Sequence, residues 1–282
     1  MKKSISIWSF YGDWTLQEKM KLAKDAGFSG IELDVSGDGP INLDSSDSDI
    51  DAVGRLAADE GLVLSGLATG MYWEFNPASE DADTRANAKR VLETQLRAAS
   101  RLGIDAVLVV PGSVGADFIP DCEELSYDAV WERATAFVSE SLPLAKELGV
   151  TICIENVWNK FLLSPREMAQ FIDQFGDPRV GSYFDVGNVL ANGYPEHWIS
   201  MLGDRIARVH VKDYRRAVGS VDGFVDLLSG DVNWPAVAQA LKGIEYDGWV
   251  AAEMIPPVPF YKHAPETLIH NTSLAMDSIF AL

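Results

Sequence analysis

The sequence predicts a single (β/α)₈ barrel that spans residues 1–282. One pattern recurs along the chain: a helix-like run rich in Ala, Leu, Lys and Glu ends at a glycine, and an apolar run typical of a strand follows directly. The apolar runs are nearly continuous rather than alternating, which is typical of parallel strands buried on both faces. The length of 282 residues also suits this fold, because one (β/α)₈ barrel commonly needs about 250 residues.

Eight apolar runs are predicted to be the strands. They cover residues 4–9, 30–35, 63–68, 106–110, 150–155, 181–185, 207–211 and 249–253. Helical stretches lie between them, and a last helix is predicted from about Pro265 to Phe280. Repeated helix–strand units favour an α/β architecture, and eight of them favour closure over an open sheet. Pro256, Pro257 and Pro259 follow the last strand and indicate a stiff loop, not a domain boundary.

Five glycines are predicted to end helices in the left-handed conformation, which only glycine adopts at low cost. These are Gly27, Gly61, Gly103, Gly149 and Gly243.

The formal net charge of −19 argues against nucleic acid and anionic membranes as partners, since both repel such a surface. A run of the roughly 20 apolar residues that span a bilayer is absent from the sequence, and the N-terminal segment has the pattern of a strand rather than of a signal peptide. Cys122 and Cys153 form no redox or metal motif, and Cys153 is expected in the core. A cytoplasmic enzyme is therefore expected.

Ionisable residues occupy the last four predicted strands, at or near their ends: Glu155, Asp185, His210 and Glu253. Each alone has an ordinary interpretation, as a helix cap, a surface charge or a core histidine. Together they would meet at one mouth, because active sites of barrels lie at the carboxyl ends of the strands. Three clustered carboxylates repel each other, and a divalent cation would neutralise them. The donor set suits Mn²⁺, Mg²⁺ or Co²⁺, with Zn²⁺ also possible.

Six segments carry a resemblance to a known family. They are AGFSGIEL (26–33), IENVWNKFLLSP (154–165), FDVGN (184–188), HVKD (210–213), GDVNW (230–234) and AAEM (251–254). With them the chain resembles the sugar phosphate isomerase/epimerase family. These xylose isomerase-like TIM barrels include inosose isomerases and dehydratases, hydroxypyruvate isomerases and ketose 3-epimerases, among them L-xylulose 5-phosphate 3-epimerases. The resemblance implies that Glu155, Asp185, His210 and Glu253 bind one divalent metal, with Mn²⁺ expected first.

The resemblance further implies an isomerase or epimerase of a ketose or ketose phosphate. The C3 proton would be removed through a metal-bound cis-enediolate, with Glu155 and Glu253 as the pair of catalytic carboxylates. The same site could instead eliminate a β-leaving group, as in a dehydratase or keto-glycoside lyase. DNA endonucleases of this fold need more than the four histidines present and a basic face. A non-catalytic binding module is the remaining alternative.

Five residues are candidates for substrate binding. They are Trp8, Trp158, Asn188, Lys212 and Arg216. Arg216 lies six residues after His210, where tagatose-type 3-epimerases place a substrate-binding arginine, although a solvated loop arginine is an equal alternative. Lys212 could contact substrate or pair with a neighbouring carboxylate. Trp8 and Trp158 could form pocket walls. A homo-oligomer, either a dimer or a tetramer, is also expected from the resemblance.

Two positions depart from the pattern of those epimerases. Phe161 stands where they carry a further glutamate, and Asn188 stands where they carry a histidine. Asn188 could keep a hydrogen bond to a sugar hydroxyl, whereas Phe161 could not. The substrate or its orientation is therefore expected to differ.

Overall fold

Eight parallel strands form a closed barrel in the order β1-β10-β7-β6-β5-β4-β3-β2. The computed structural model describes residues 1–255 and 261–282. The barrel strands are β1 (Lys2–Ser6), β2 (Gly30–Asp34), β3 (Val63–Ala68), β4 (Ala106–Val109), β5 (Thr151–Glu155), β6 (Val180–Asp185), β7 (Ile206–Val211) and β10 (Trp249–Ala252). The predicted barrel is thus confirmed. Pro256, Pro257 and Pro259 lie outside the described residues.

Seven of the eight predicted strands agree with the structure to within one residue at each end. The first strand is the exception, because β1 ends at Ser6 and residues Ile7–Ser9 form a 3-10 turn. The Ser6 hydroxyl accepts a hydrogen bond from the Trp8 backbone N–H at 3.4 Å. This local bond offers the backbone an alternative to the extended conformation, which apolar patterning does not reveal.

Helices alternate with the barrel strands along the chain. Those of the described residues are α1 (Leu16–Asp25), α2 (Asp47–Asp59), α3 (Ala82–Leu102), α4 (Tyr127–Leu148), α5 (Pro165–Asp173), α6 (Val186–Val189), α7 (Pro195–Leu202), α8 (Trp234–Gly243) and α9 (Pro265–Phe280). The last helix has the predicted bounds. None of these helices combines the length and the apolar character that a membrane span requires.

Four of the five predicted helix-ending glycines have positive φ angles. Gly103 and Gly149, for example, have φ values of 72° and 71° and follow α3 and α4 directly. The prediction for Gly243 is wrong, since Gly243 is the last residue of α8 and the left-handed position is taken by Glu245 at φ 54°. The left-handed residue after α8 is therefore two positions later than the sequence pattern predicts.

Contacts between Cα atoms divide the chain into two compact units. Unit 1 comprises Met1–Leu33, Gly54–Ser65 and Phe184–Leu282, and unit 2 comprises Asp34–Val53 and Gly66–Tyr183. Unit 1 includes β1, β7 and β10, and unit 2 includes β4 and β5. That the chain is one domain stays a prediction.

A short antiparallel hairpin follows β7 and was not expected from the sequence. Its strands are β8 (Asp213–Tyr214) and β9 (Phe224–Val225), with Asp213 opposite Val225. Two-residue strands carry too little apolar pattern to be recognised in a sequence.

Candidate active site

Asp185, His210 and Glu253 are fully or almost fully buried at the carboxyl ends of neighbouring strands. Asp185 ends β6 and caps the short helix α6, where its Oδ1 accepts a hydrogen bond from the Asn188 backbone N–H at 2.7 Å. His210 lies in β7, opposite Ala251 of β10. Glu253 directly follows β10, and its backbone N–H donates to Val211 O at 3.0 Å. The barrel register therefore brings these three side chains together, as the sequence predicted.

Glu32, in β2, fixes the ring of His210. Both carboxylate oxygens of Glu32 lie 2.9 Å from Nε2 of His210, and neither side chain is exposed. A carboxylate accepts hydrogen bonds, so Nε2 carries the proton and donates it. The other ring nitrogen, Nδ1, faces Glu253 Oε2 at 3.5 Å and Asp185 Oδ2 at 3.8 Å. This orients His210 as histidine ligands of metals are oriented.

Glu32 is not among the site residues predicted from the sequence. Its charge is unusual in the apolar run GIELD, and it belongs to the segment AGFSGIEL, so the sequence does mark it as a candidate. Its position in the second strand, far from the four-residue pattern in the sequence, concealed its contact with His210.

Lys212 brings an ammonium group to two of the carboxylates. Its Nζ lies 2.5 Å from Glu253 Oε2 and 3.1 Å from Asp185 Oδ2. Gly187 makes room for it: a Cβ at Gly187 would overlap Lys212 Cγ and lie 2.7 Å from the Lys212 carbonyl oxygen. The glycine of the FDVGN segment thus permits the close approach of α6 to the end of β7. Of the two roles that the sequence left open for Lys212, the structure displays the pairing with carboxylates.

Burial and charge act in opposite directions on these groups. Burial raises the pKa of Asp185 to about 6, against the effect of the Lys212 ammonium. Burial would also raise the pKa of Glu253, but Lys212 and His210 outweigh it and hold that pKa well below its usual range. Burial would lower the pKa of His210, but the carboxylates of Glu32 and Glu253 raise it well above its usual value. The charged form of each group therefore depends on its neighbours.

Glu155, at the end of β5, completes a group of four potential ligands with Asp185, His210 and Glu253. One ligand atom from each residue lies within 4.8 Å of all the others, and all four residues are buried. Metal–ligand bonds of about 2.0–2.2 Å place opposite ligands roughly 4.0–4.4 Å apart, so the spacing suits a single ion. Three carboxylate oxygens and one imidazole nitrogen form a donor set that fits a divalent cation.

A family model described as "Xylose isomerase-like TIM barrel" matches residues 20–271. The chain belongs to the xylose isomerase-like TIM barrel family.

Two relatives in sequence extend this assignment. "Putative L-ribulose-5-phosphate 3-epimerase SgbU" of Escherichia coli (strain K12) is 24% identical over 248 residues, which cover 86% of this chain and 84% of that protein. "Uncharacterized protein MJ1311" of Methanocaldococcus jannaschii is 25% identical over 188 residues. That match covers 64% of this chain and spans only 61% of the length of MJ1311.

Two solved structures of similar fold cover nearly all of the chain. The crystal structure of D-psicose 3-epimerase in the presence of D-fructose has a TM-score of 0.80 at 19% identity and covers 99% of this chain and 98% of that one. The crystal structure of the IOLI protein with a zinc atom has a TM-score of 0.80 at 18% identity, with coverages of 100% and 98%. SgbU, D-psicose 3-epimerase and L-ribulose 3-epimerase are named as sugar epimerases, which are enzymes.

The HVKD and GDVNW segments of this family member are joined by Asp213. Its Oδ1 accepts hydrogen bonds from the backbone N–H groups of Tyr214 and Val232, and its Oδ2 accepts one from Trp234 Nε1 at 3.0 Å. A Cβ at Gly230 would overlap Asp213 Oδ1. Asp213 therefore holds the loop after β7 in place, directly next to Lys212 in the chain.

The candidate substrate contacts lie in different surroundings. Asn188 is buried in α6, one turn from Asp185. Trp8 and Trp158 are both partly exposed, in the segments that follow β1 and β5. Partial exposure of an aromatic face is compatible with a pocket wall. The roles of these three residues stay predictions.

Arg216 is exposed, and its guanidinium contacts backbone carbonyls. Nε donates to Leu190 O at 3.2 Å and Nη2 donates to Gly193 O at 3.1 Å, while Cζ lies 4.9 Å from the ring centroid of Tyr194. Binding of substrate by Arg216 likewise stays a prediction.

Phe161 belongs to a cluster of aromatic rings. Its side chain is 1% exposed, and its ring centroid lies 5.3 Å from Tyr127, 5.9 Å from Trp131 and 5.8 Å from Phe171. The change from glutamate to phenylalanine therefore does more than remove a polar contact, because the residue takes part in the packing of α4 and α5.

Proposed function

We propose that this chain is a divalent-metal-dependent epimerase or isomerase of a ketose or ketose phosphate. The observation that supports it most is the buried group of Glu155, Asp185, His210 and Glu253, whose ligand atoms lie within 4.8 Å of one another. Buried carboxylates at such distances repel each other, and a divalent cation among them would offset the repulsion that Lys212 neutralises only in part. The names of the relatives, which specify 3-epimerases of L-ribulose 5-phosphate and D-psicose, support the substrate class.

The proposed ligands of the metal are Glu155, Asp185, His210 and Glu253. Mn²⁺ is the ion we expect, because carboxylate oxygens suit it and it also accepts an imidazole nitrogen, and Mg²⁺, Co²⁺ or Zn²⁺ could serve. When bound, a divalent metal polarises the substrate carbonyl and stabilises the negative charge that develops on deprotonation. Glu32 would contribute indirectly, by presenting Nδ1 of His210 to the ion.

Glu155 and Glu253 are the proposed pair for proton transfer. Epimerisation at C3 needs one group that removes the proton and another that returns a proton to the opposite face. Glu253 is in the carboxylate form that can accept a proton, since Lys212 and His210 hold its pKa low. The assignment of the two glutamates to the two steps depends on the configuration of the substrate.

The remaining contacts and the assembly are proposed on the family resemblance. Asn188, Lys212 and Arg216 would bind sugar oxygens, and Trp8 and Trp158 would line the pocket. Aromatic faces pack well against the C–H surfaces of sugars, which suits the two tryptophans. A cytoplasmic homo-oligomer, as a dimer or tetramer, completes the proposal.

A test combines metal analysis with hydrogen exchange. The purified protein, loaded with Mn²⁺, is incubated in D₂O with D-psicose, D-fructose, D-tagatose and L-ribulose 5-phosphate, and the C3–H signal is followed by NMR. We expect deuterium at C3 together with formation of the epimer for at least one ketose. Loss of water or of an aglycone would assign the alternative elimination reaction.

Two variants connect the reaction to the site. Glu155→Gln and Glu253→Gln should abolish exchange, whereas Glu147→Gln, on the exposed surface of α4, should retain it. A protein that binds no divalent metal, or that exchanges C3–H of no ketose, would refute the proposal.

A further inference from the structure

Lys212 lies where it contacts two of the proposed metal ligands. Its ammonium nitrogen is 2.5 Å from Glu253 Oε2 and 3.1 Å from Asp185 Oδ2, and all three side chains are at most 9% exposed. The two carboxylates would also be ligands of the ion, so the inference rests on the proposed function. An ammonium group that is shared by two buried carboxylates neutralises part of their charge.

The surrounding residues keep the ammonium near this position. Gly187 removes the Cβ that would overlap the Lys212 side chain, so the stem of the lysine can pass close to α6. The ring of Phe224, in β9, faces the ammonium with its centroid 4.9 Å from Nζ. An aromatic face attracts a cation, and Phe224 therefore offers Lys212 a second interaction that does not involve a metal ligand.

We infer that Lys212 is a built-in counter-ion that competes with the divalent metal for Asp185 and Glu253. A metal held by both carboxylates would lie close to the ammonium, and two cations in a buried site repel each other. Metal binding would move the ammonium away from one or both carboxylates, toward Phe224. Release of the metal would let it return and offset the repulsion among the carboxylates. Lys212 would thus weaken metal binding and stabilise the protein without metal.

Other roles of Lys212 predict a different change in metal affinity when the lysine is removed. If Lys212 only held the two carboxylates in the geometry that the metal needs, its removal would weaken metal binding. If it served only the sugar, its removal would leave metal affinity unchanged in the absence of sugar. The direction of the change in metal affinity separates the counter-ion role from both.

The experiment compares wild type with Lys212→Met, which keeps an unbranched stem without the charge. Mn²⁺ affinity is measured by isothermal titration calorimetry without sugar, and thermal unfolding is measured in EDTA and in saturating Mn²⁺. We expect Lys212→Met to bind Mn²⁺ on the order of tenfold more tightly, and to unfold at a lower temperature in EDTA. The difference in Tm should shrink in saturating Mn²⁺, because the ion binds only the folded state and would stabilise the tighter-binding variant more than wild type.

Two further variants complete the design. Lys212→Gln, which keeps a polar group without the charge, replaces Lys212→Met if that variant does not fold without metal. Lys160→Met, which removes the exposed pair with Asp117, should change neither measurement.

The outcomes separate this inference from the proposed function. If wild type binds Mn²⁺ and the Lys212 variants bind it equally or more weakly, the counter-ion role is overturned and the metal site stands. If wild type binds no divalent ion, the proposed metal site and the competition at it are both overturned.

Discussion

The contact between Glu32 and His210 allows the effect of Glu32 on metal affinity to be predicted quantitatively. Glu32→Gln keeps the size of the side chain and one acceptor oxygen, but it removes the negative charge that faces Nε2 at 2.9 Å. Loss of a carboxylate partner of a ligand histidine typically costs about 10–100-fold in metal affinity or activity. Glu32→Gln retains an acceptor for Nε2–H, so we expect the lower limit, roughly tenfold, or about 1.4 kcal/mol.

Glu32→Ala removes the acceptor as well and leaves a cavity beside a buried ring. We expect about 100-fold weaker metal binding from it, the upper end of the same range. Both variants are measured by calorimetric titration with Mn²⁺ at pH 7.5, with circular dichroism to verify folding. Glu147→Gln serves as the matched control, because it makes the same chemical change on an exposed helix surface.

The two Glu32 variants separate the effect of the negative charge from the effect of the hydrogen bond. An affinity within twofold of wild type for both would refute the role of Glu32 in orienting His210. An equal loss in both would mean that the charge of Glu32, and not the hydrogen bond, carries the effect.

Three further predictions follow from the same region. Gly187→Ala places a methyl group 2.7 Å from the Lys212 carbonyl oxygen, so chemical denaturation should show a loss of about 1–3 kcal/mol; Gly243→Ala, with no atom within 4 Å of the added Cβ, should show none. Mn²⁺ affinity should fall as the pH drops below about 6, where Asp185, with its pKa raised to about 6 by burial, takes up a proton; constant affinity from pH 5 to pH 7 would contradict this. Phe161→Glu should destabilise the protein by roughly 3–5 kcal/mol, because it buries a carboxylate among aromatic rings, and it should not increase the rate of C3 exchange; a stable variant with faster C3 exchange would contradict the packing role of Phe161.

The barrel and the proximity of Asp185, His210 and Glu253 were predictable because both depend on local patterns. The apolar runs define the strands, and the parallel order then brings the ends of neighbouring strands, such as those at Asp185 and Glu253, to one rim. Contacts between distant segments were not predictable in the same way. Glu32 reaches His210 across 178 positions of sequence, and no pattern along the chain indicates which buried glutamate meets which histidine.

The directions of long side chains could not be predicted from the sequence either. The resemblance left Arg216 either at the substrate or in a solvated loop, and the structure shows an exposed guanidinium that donates to the carbonyls of Leu190 and Gly193. The position of a residue along a strand predicts which face of the sheet it lies on. It does not predict which of several nearby groups a long side chain contacts.

We propose that one divalent metal is bound by Glu155, Asp185, His210 and Glu253, and anomalous diffraction from crystals grown with Mn²⁺ would locate such an ion. We expect one strong peak about 2.0–2.3 Å from a carboxylate oxygen of each acidic residue and from Nδ1 of His210. No peak at this position, or a peak that approaches Nε2 in place of Glu32, would contradict it.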